Sequence, residues 1–351
     1  MTDPLASAAP LGRAAIVLRR LAPGIALSAA VAVAAVAAAP LVARLAPIPA
    51  MVLALIIGIA LNPIAKRSAF QPGIEFCVKT LLRWAVALLG LRIALGEIAA
   101  LGLGTAIVVV LSMAITIVSG FLLARAFGQS DHYGALAGAG TAVCGASATL
   151  ATSIVLPAYK GKEADVAFVV IAVNALSTVA MVLYPPLCSV LGFDTTRTGI
   201  MLGATIHDVA QVAGAGYAVS EPVGNTAVIV KLFRVLLLFP VLVSIAWWFL
   251  RPKPPLSALK SSIPGFALVF LALCVLNSML SSIPAAAEVY QPTKAVLGQV
   301  STWGLLIAIG ALGLGTSIAA VAALGLRHAA TVIGTSIVIL ALVSGGLLLI
   351  G

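Results

Sequence analysis

The chain has 351 residues, of which 62% are hydrophobic and only 9% are charged. A mean hydropathy of +1.21, together with apolar runs of roughly 18 to 25 residues, excludes a soluble two-domain protein and predicts an integral α-helical membrane protein. The runs are too long for the tilted strands of a β-barrel, which need about 10 residues. The net charge of +10 requires no nucleic-acid partner, because most of it falls in predicted cytoplasmic loops that face anionic lipid.

Apolar windows bounded by charges, proline and glycine predict about eleven transmembrane helices. The first follows a cluster of arginines and is too long for the core of a signal peptide, so we expect it to be retained. The predicted segments lie near residues 21–39, 46–62, 80–98, 104–123, 134–156, 166–188, 199–219, 226–249, 263–283, 299–318 and 329–350.

Arginine and lysine concentrate in every second connection between these segments. The remaining connections carry acidic or balanced charge, as in the loop with Lys160, Lys162, Glu163 and Asp165. Because positive residues stay in the cytoplasm, this pattern predicts a cytoplasmic N-terminus and an external C-terminus.

Short matches between distant segments indicate an internal repeat. Val78–Arg83 in segment three resembles Val230–Arg234 in segment eight, and Gly138–Thr141 in segment five resembles Gly313–Thr316 in segment ten. Both pairs are five segments apart, so each copy would cross the membrane in the opposite direction. A competing match, Leu89–Leu91 with Leu312–Leu314, pairs segments three and ten instead.

The repeat predicts an inverted five-plus-five fold with discontinuous helices after one extra N-terminal helix. The expected boundaries are 1–45 for the extra helix, 46–190 for the first repeat and 191–351 for the second, within one membrane domain. Transporters of this kind bind their substrate near the midplane between half-helices broken by glycine or proline.

Glycine is dense in segment five, between Gly134 and Ser147, where it would weaken a continuous helix. A half-helix beginning near Thr141 would direct free N–H groups and a partial positive charge inward, which favours an anion. Segment ten would supply a second half, and the two broken helices would cross. Close packing of helices through small residues is the alternative. The candidate binding residues here are Gly140, Thr141, Cys144, Gly145 and Ser147, with Gly315, Thr316 and Ser317 in segment ten.

Three cations within the spans also favour an anionic substrate. Lys231 and Arg234 share one helix face, and Arg92 lies deep in segment three. We expect Arg234 above all to neutralise the substrate. The alternatives are a structural partner for the arginines, such as a carboxylate or a helix C-terminus, and an interfacial position for Lys231.

A polar cluster in segment seven, made of His207, Asp208 and Gln211, stands where apolar residues are expected. Ionisable groups in a span mark a probable transport pathway. His207 is suited to carrying a proton, so this cluster is the candidate coupling site. A structural hydrogen bond between helices is the alternative for this cluster. For Asn174 in segment six, the two interpretations are a hydrogen bond across helices and a contact with the ligand.

Neither a metal site nor a cofactor is expected. Cys77, Cys144, Cys188 and Cys274 are dispersed and lack the spacing of metal ligands. Adjacent His207 and Asp208 cannot orient each other as in a hydrolase triad, so an enzyme is disfavoured.

Three motifs resemble those of the YeiH family, a bacterial membrane family commonly labelled as sulfate exporters. They are Gly138–Ser147, Gly203–Val212 and Val230–Leu236, in the order in which the family has them. Segment five reads Ser-Ala-Thr149 where the family usually has Ser-Ala-Ile. The resemblance implies a bacterial inner-membrane protein related in fold to bile-acid-type carriers, and it implies the substrate only weakly.

Together these observations predict a secondary transporter, working as an exporter, for a small anion such as sulfate or a related oxyanion or sulfonate. The expected partners are this anion and the lipid bilayer, with a homodimer possible. A cation antiporter that uses Asp208 as its carrier is the main alternative, and a membrane-embedded enzyme is a weaker one.

Overall fold

A computed structural model describes residues 10–42, 48–249, 265–316 and 326–350. All the regular secondary structure among these residues is helical. Seven of the described helices are long and apolar enough to cross a membrane, and three apolar helices of 10 to 17 residues are shorter, Ala50–Ala60, Ala146–Val155 and Val209–Val219. An all-α membrane protein is therefore confirmed, whereas eleven spanning helices are not found among the described residues.

The chain forms two compact units, Met1–Val86 with Gln299–Ile318, and Ala87–Gly298 with Ala319–Gly351. The first unit contains α1 (Pro10–Val42), α2 (Ala50–Ala60), α3 (Asn62–Ala65), α4 (Gln71–Phe76), a π-helix (Cys77–Leu81) and most of α5 (Leu82–Leu88).

Glycines allow the helices of the first unit to touch. A Cβ on Gly24 would lie 2.7 Å from the Cα of Gly73, and a Cβ on Gly313 would lie 3.0 Å from the Cα of Gly58. Asn62 donates a hydrogen bond of 2.7 Å to the carbonyl oxygen of Leu314. Such small-residue contacts bring backbones together in membranes, where dispersion forces replace the hydrophobic effect between helices.

The second unit contains the motifs that the sequence singles out. Its helices are a 3₁₀ turn (Leu89–Arg92), α6 (Leu95–Ala100), α7 (Gly102–Ala126), α8 (Asp131–Ala142), α9 (Ala146–Val155), α10 (Lys162–Val190), α11 (Thr195–Thr205), α12 (Val209–Val219), α13 (Glu221–Leu236), α14 (Leu238–Phe249), α15 (Gly265–Ser282), and α17 (Leu326–Ile350). Helix α16 (Pro284–Gly315) passes from the second unit into the first.

Segment five is a helical hairpin, not a helix that crosses the membrane. A Cβ on Gly140 would lie 2.5 Å from Oγ1 of Thr149, so α9 folds back along α8. At the open end of the hairpin the rings of His132 and Tyr159 stack with 4.6 Å between their centroids. We call residues 131–155 hairpin 1.

Segment seven is a second hairpin. The contacts of α11 and α13 advance together, from Gly199 against Val223 to Gly203 against Val230, so these two helices run in the same direction. Helix α12 runs in the opposite direction. Near its end, a Cβ on Gly216 would lie 2.8 Å from the Cα of Gly224, which is near the start of α13. We call residues 195–219 hairpin 2.

Helix α10 separates the open ends of the two hairpins. Its 29 residues span about 44 Å, which is enough to cross a bilayer. Near its middle, Val173 contacts Gly140 of hairpin 1, and Ser177 Oγ accepts a 3.1 Å hydrogen bond from the backbone N–H of Asp208 in hairpin 2. The hairpins therefore enter from opposite ends of α10, and their tips meet near its midpoint.

This arrangement differs from the predicted crossing of the membrane by segment five, because α9 turns back along α8. Within the second unit, the broken segment whose tip meets that of segment five is segment seven. The predicted crossing of segments five and ten stays a prediction. Segment ten is a continuous helix up to Gly315, whereas Ser317 lies outside the described residues. The proposed repeat pair of segments three and eight also differs in environment, because Lys79 is exposed and Lys231 is fully buried.

Candidate functional site at the hairpin tips

The tip of hairpin 1 consists of Val143, Cys144 and Gly145, between the end of α8 and the start of α9. Gly145 has φ of +63° and ψ of −127°, a backbone conformation that favours glycine. Gly145 at the N-cap position of α9 has no side chain that could cap the helix, and the Cys144 thiol interacts with the backbone N–H of Ala148. The N–H groups of Ala146 and Ser147, which have no partner within the helix, therefore stay available to a ligand.

The tip of hairpin 2 consists of Ile206, His207 and Asp208. Ile206 is extended, with φ of −67° and ψ of 136°, and this ends α11. The Asp208 carboxylate caps α12 by accepting a 2.9 Å hydrogen bond from the N–H of Ala210. Asp208 is half-buried, and it lies near enough to Lys231 for their charges to interact.

Arg234 of α13 joins the two tips. Its side chain is fully buried, and its guanidinium donates only to backbone carbonyls among the described residues. In hairpin 1 the acceptors are Thr141 (2.9 Å) and Ala142 (2.7 and 3.0 Å), and in hairpin 2 they are Gly203 (3.0 Å) and Ile206 (3.2 Å). These contacts use all five N–H groups of the guanidinium.

Lys231 lies one turn earlier on α13 and makes the same kind of bridge. Its ammonium donates to Val143 at 2.7 Å and to Ile206 at 3.0 Å. The last carbonyls of α8 and α11 carry the negative ends of two helix dipoles. Because an unpaired charge is costly away from water, these carbonyls explain how both cations are accommodated at 0% exposure.

Helix α17 holds the tips with two side-chain hydrogen bonds. Thr335 bonds Thr141 at 2.9 Å between their Oγ1 atoms, and Ser336 Oγ lies 2.9 Å from Nε2 of His207. Gln211 in the first turn of α12 is 0% exposed, and both atoms of its amide lack a hydrogen-bond partner among the described residues. The same holds for Nδ1 of His207. Such atoms in a native fold call for a water or a ligand.

Two predicted residues near the tips are not fully buried. Ser147 in the first turn of α9 is exposed, and Asn174 of α10 is half-buried. Cys144 is buried at the tip, and its thiol is free. The predicted residues of segments five, six, seven and eight are thus brought to one region around the tips.

Arg92, another predicted residue, lies away from the tips. Arg92 donates a hydrogen bond of 2.6 Å to the carbonyl oxygen of Gly298. Its guanidinium lies 3.6 Å from the carboxylate of Glu221, at the start of α13. Glu221 is 13 residues before Arg234 on that helix, which is about 20 Å. Gly315 and Thr316 belong to the first unit, where Thr316 bonds the carbonyl of Leu312.

Sequence reasoning missed the residues that support the tips from other helices, Ser177, Thr335 and Ser336. Their only signal is a hydroxyl within an apolar span, which is common in membrane helices and carries little information alone. The carbonyl acceptors of Lys231 and Arg234 leave no signal in the sequence at all.

A second polar cluster closes the open end of hairpin 1. Asp165 of α10 lies 3.7 Å from Nε2 of His328 and accepts a 3.1 Å hydrogen bond from the hydroxyl of Tyr159. Tyr133 donates 2.8 Å to the carbonyl of His328. Burial and the neighbouring Asp165 carboxylate raise the pKa of the Tyr159 hydroxyl, so it remains a donor at neutral pH.

The chain matches the family model described as "conserved hypothetical protein 698" over residues 23–332. It is similar to the UPF0324 membrane protein TauZ of Paracoccus pantotrophus, with 42% identity over 314 residues that cover 86% of this chain and 89% of TauZ. It is also similar to the UPF0324 inner membrane protein YeiH of Salmonella typhi, with 34% identity over 87% of each chain. No solved structure matches.

Proposed function

The chain belongs to the UPF0324 family of membrane proteins, and from this premise we propose that it is a secondary transporter of a small anion, an oxyanion or sulfonate. The proposed binding site is the part of the two hairpin tips next to Ser147 and Asn174. Export from the cell is the proposed direction. No catalytic role is assigned to any residue.

The observation that carries this proposal is the meeting of two helical hairpins at the midpoint of α10. Non-helical backbone at membrane depth is tolerated where it is buried in protein or lines a cavity. Secondary transporters bind substrates and coupling ions at such broken helices near the midplane. The hydrogen bonds of Lys231 and Arg234 hold the C-terminal ends of α8 and α11 in one place.

The anionic character of the substrate is supported by the N-terminus of α9. Its uncapped N–H groups and the exposed Ser147 hydroxyl are donors, and the positive end of the helix dipole faces the same region. Asn174 offers a further amide donor from α10. Lys231 and Arg234 contribute positive potential across the tips without touching the substrate, which revises the direct contact predicted for Arg234.

Coupling to protons is proposed at His207, next to Asp208 and Gln211. The imidazole lies at the tip itself, so a proton gained there would compensate part of the charge of a bound anion. A cation antiporter with Asp208 as carrier is less well supported, because the carboxylate is engaged as the cap of α12.

Anion flux into proteoliposomes tests the proposal. We expect flux of oxyanions or sulfonates in the wild type, and at least about a tenfold loss in Ser147→Asp, because a fixed carboxylate would occupy the positive end of α9. Thr195→Asp adds the same charge in the first turn of α11, at the open end of hairpin 2, and serves as the control. Absence of anion flux with folded wild-type protein would refute the proposal. Equal effects of both variants would show that the site does not lie at the start of α9.

A further inference from the structure

A cavity of about 390 Å³ lies within the first unit, between α1 and the helical stretch made of α4 and the π-helix. None of the residues around it belongs to the hairpin tips, so the proposed transport gives this cavity no role. Its lining combines charged, hydroxyl and apolar side chains, namely Val17, Arg20, Leu21, Pro72, Glu75, Phe76, Lys79 and Thr80.

The two helices that form the cavity run in the same direction. Gly24 of α1 packs against Gly73, and one turn later the hydroxyl of Ser28 is close enough to the thiol of Cys77 for a hydrogen bond. Both helices therefore begin on the same side of the membrane. The cavity lies near these starts, since the first candidate span begins at Val17. The predicted cytoplasmic N-terminus places it on the inner side, where the lipid surface is anionic.

Two cations line the cavity. Arg20 is exposed, and it forms no ion pair among the residues that the structure describes. The side chain of Lys79 is 65% exposed and pairs with Glu75 one turn earlier, so it points back toward the start of its helix. Lys79 and the exposed Thr80 belong to the π-helix. Such short π-helical turns are rare and are frequent at functional sites.

We propose that this cavity binds the headgroup of an anionic phospholipid. The guanidinium of Arg20 and the ammonium of Lys79 hold the phosphate, and the hydroxyl of Thr80 is a further donor. The acyl chains lie against the apolar wall, where Val17 is 47% exposed and Leu21 is half-buried. Cations beside an apolar wall that is open to the bilayer favour a lipid over a soluble anion. This inference goes beyond transport and does not depend on it.

Phosphatidylglycerol and phosphatidylcholine with identical acyl chains form a matched pair of probes, because they differ in the net charge of the headgroup. Native mass spectrometry of the purified protein, titrated with each lipid, measures the two affinities. Two basic residues near the phosphate should make phosphatidylglycerol bind at least about tenfold more tightly to the wild type. Inorganic phosphate in excess should not displace it, because the acyl chains contribute to binding.

Substitutions at the cavity test whether the preference arises there. We expect Arg20→Ala and Lys79→Ala each to weaken binding of phosphatidylglycerol by about fivefold and to leave phosphatidylcholine unchanged. Glu75→Gln should strengthen binding of phosphatidylglycerol, because it removes a carboxylate that competes with the phosphate for Lys79. Arg67→Ala is the control, since it removes an exposed cation just before α4 that does not line the cavity.

Three outcomes would overturn the lipid site. Equal affinities of the two lipids for the wild type would exclude charge selection. An equal loss in Arg67→Ala and Lys79→Ala would mean general attraction between the basic surface and the lipid. Displacement of phosphatidylglycerol by inorganic phosphate would make the ligand a soluble phosphate. If one variant does not fold, the comparison of the two lipids in the wild type and the effect of Glu75→Gln decide. Lipid binding is measured without transport, so its failure leaves the proposed function in place.

Discussion

Arg234 shows how one side chain can serve a different purpose from the one its position indicates. A buried guanidinium in an apolar span predicts an anion site, yet here it donates to four carbonyls of two hairpins. Backbone acceptors are present in every sequence, so no residue pattern distinguishes a helix C-terminus from a substrate as the partner of an arginine. The depth of Arg234 was predictable, and its partner was not.

Replacing Arg234 should therefore cost stability before it affects substrate affinity. Arg234→Ala leaves the carbonyls of Thr141, Ala142 and Gly203 without a donor, and we expect a loss of at least about 3 kcal/mol. Arg234→Lys should lose less stability, because the lysine ammonium can replace some of the hydrogen bonds of the guanidinium. Thermal unfolding in detergent measures both, with exposed Arg83→Ala as the control. A melting temperature of Arg234→Ala equal to that of the control would show that the carbonyl contacts are dispensable.

His207 should affect the pH dependence of transport more than the affinity for the anion. In His207→Gln the side chain can still hydrogen-bond Ser336, but it cannot gain a proton. We expect the pH profile of flux in proteoliposomes to flatten while the dissociation constant changes by less than about threefold. A profile that keeps its shape would leave His207 as a structural hydrogen-bonding residue and exclude it as the coupling group.

At the scale of the helices, the sequence predicts the break in segment five but not the return of the chain after it, and it predicts polar residues but no break in segment seven. The glycine-rich run before Ser147 and the polar run at His207 both coincide with the observed tips. A window of 23 residues such as 134–156 is long enough for one span, and hydropathy is the same for a crossing and for a hairpin. The difference depends on tertiary contacts such as that of Gly140 with Thr149.

Close packing of α7 against α8 should make hairpin 1 sensitive to single methyl groups. A Cβ on Gly120 would lie 2.6 Å from the carbonyl oxygen of Gly134 and 2.7 Å from the Cα of Gly138. We expect Gly120→Ala to destabilise the fold by about 1–3 kcal/mol. Gly345→Ala is the matched control, since nothing lies within 4 Å of its added Cβ, and it should be neutral or slightly stabilising. Equal melting temperatures of both variants in detergent would contradict this packing.

At the scale of the whole molecule, the hairpins change the assignment of loops to the two sides of the membrane. If hairpin 1 turns back, Lys160 and Lys162 lie on the same side as Arg125, which increases the positive charge there. The connections at the other end of α10 hold Asp194 and Glu221. Because two segments turn back, the proposed sides of both termini remain unchanged, with the N-terminus in the cytoplasm. The sequence predicts the alternation of charges, but the hairpin puts the loop after segment five on the same side as Arg125, whereas a spanning segment five would put it on the opposite side.

Cysteine labelling distinguishes the two topologies. In a background without the four native cysteines, Ala126→Cys and Lys160→Cys flank hairpin 1, and Asp194→Cys and Glu221→Cys flank hairpin 2. We expect a membrane-impermeant maleimide applied outside intact cells to label only the second pair, because positive residues keep the first pair inside. Labelling of Lys160→Cys without Ala126→Cys would mean that segment five crosses the membrane. Labelling of the first pair alone would keep both hairpins and reverse the orientation of the protein.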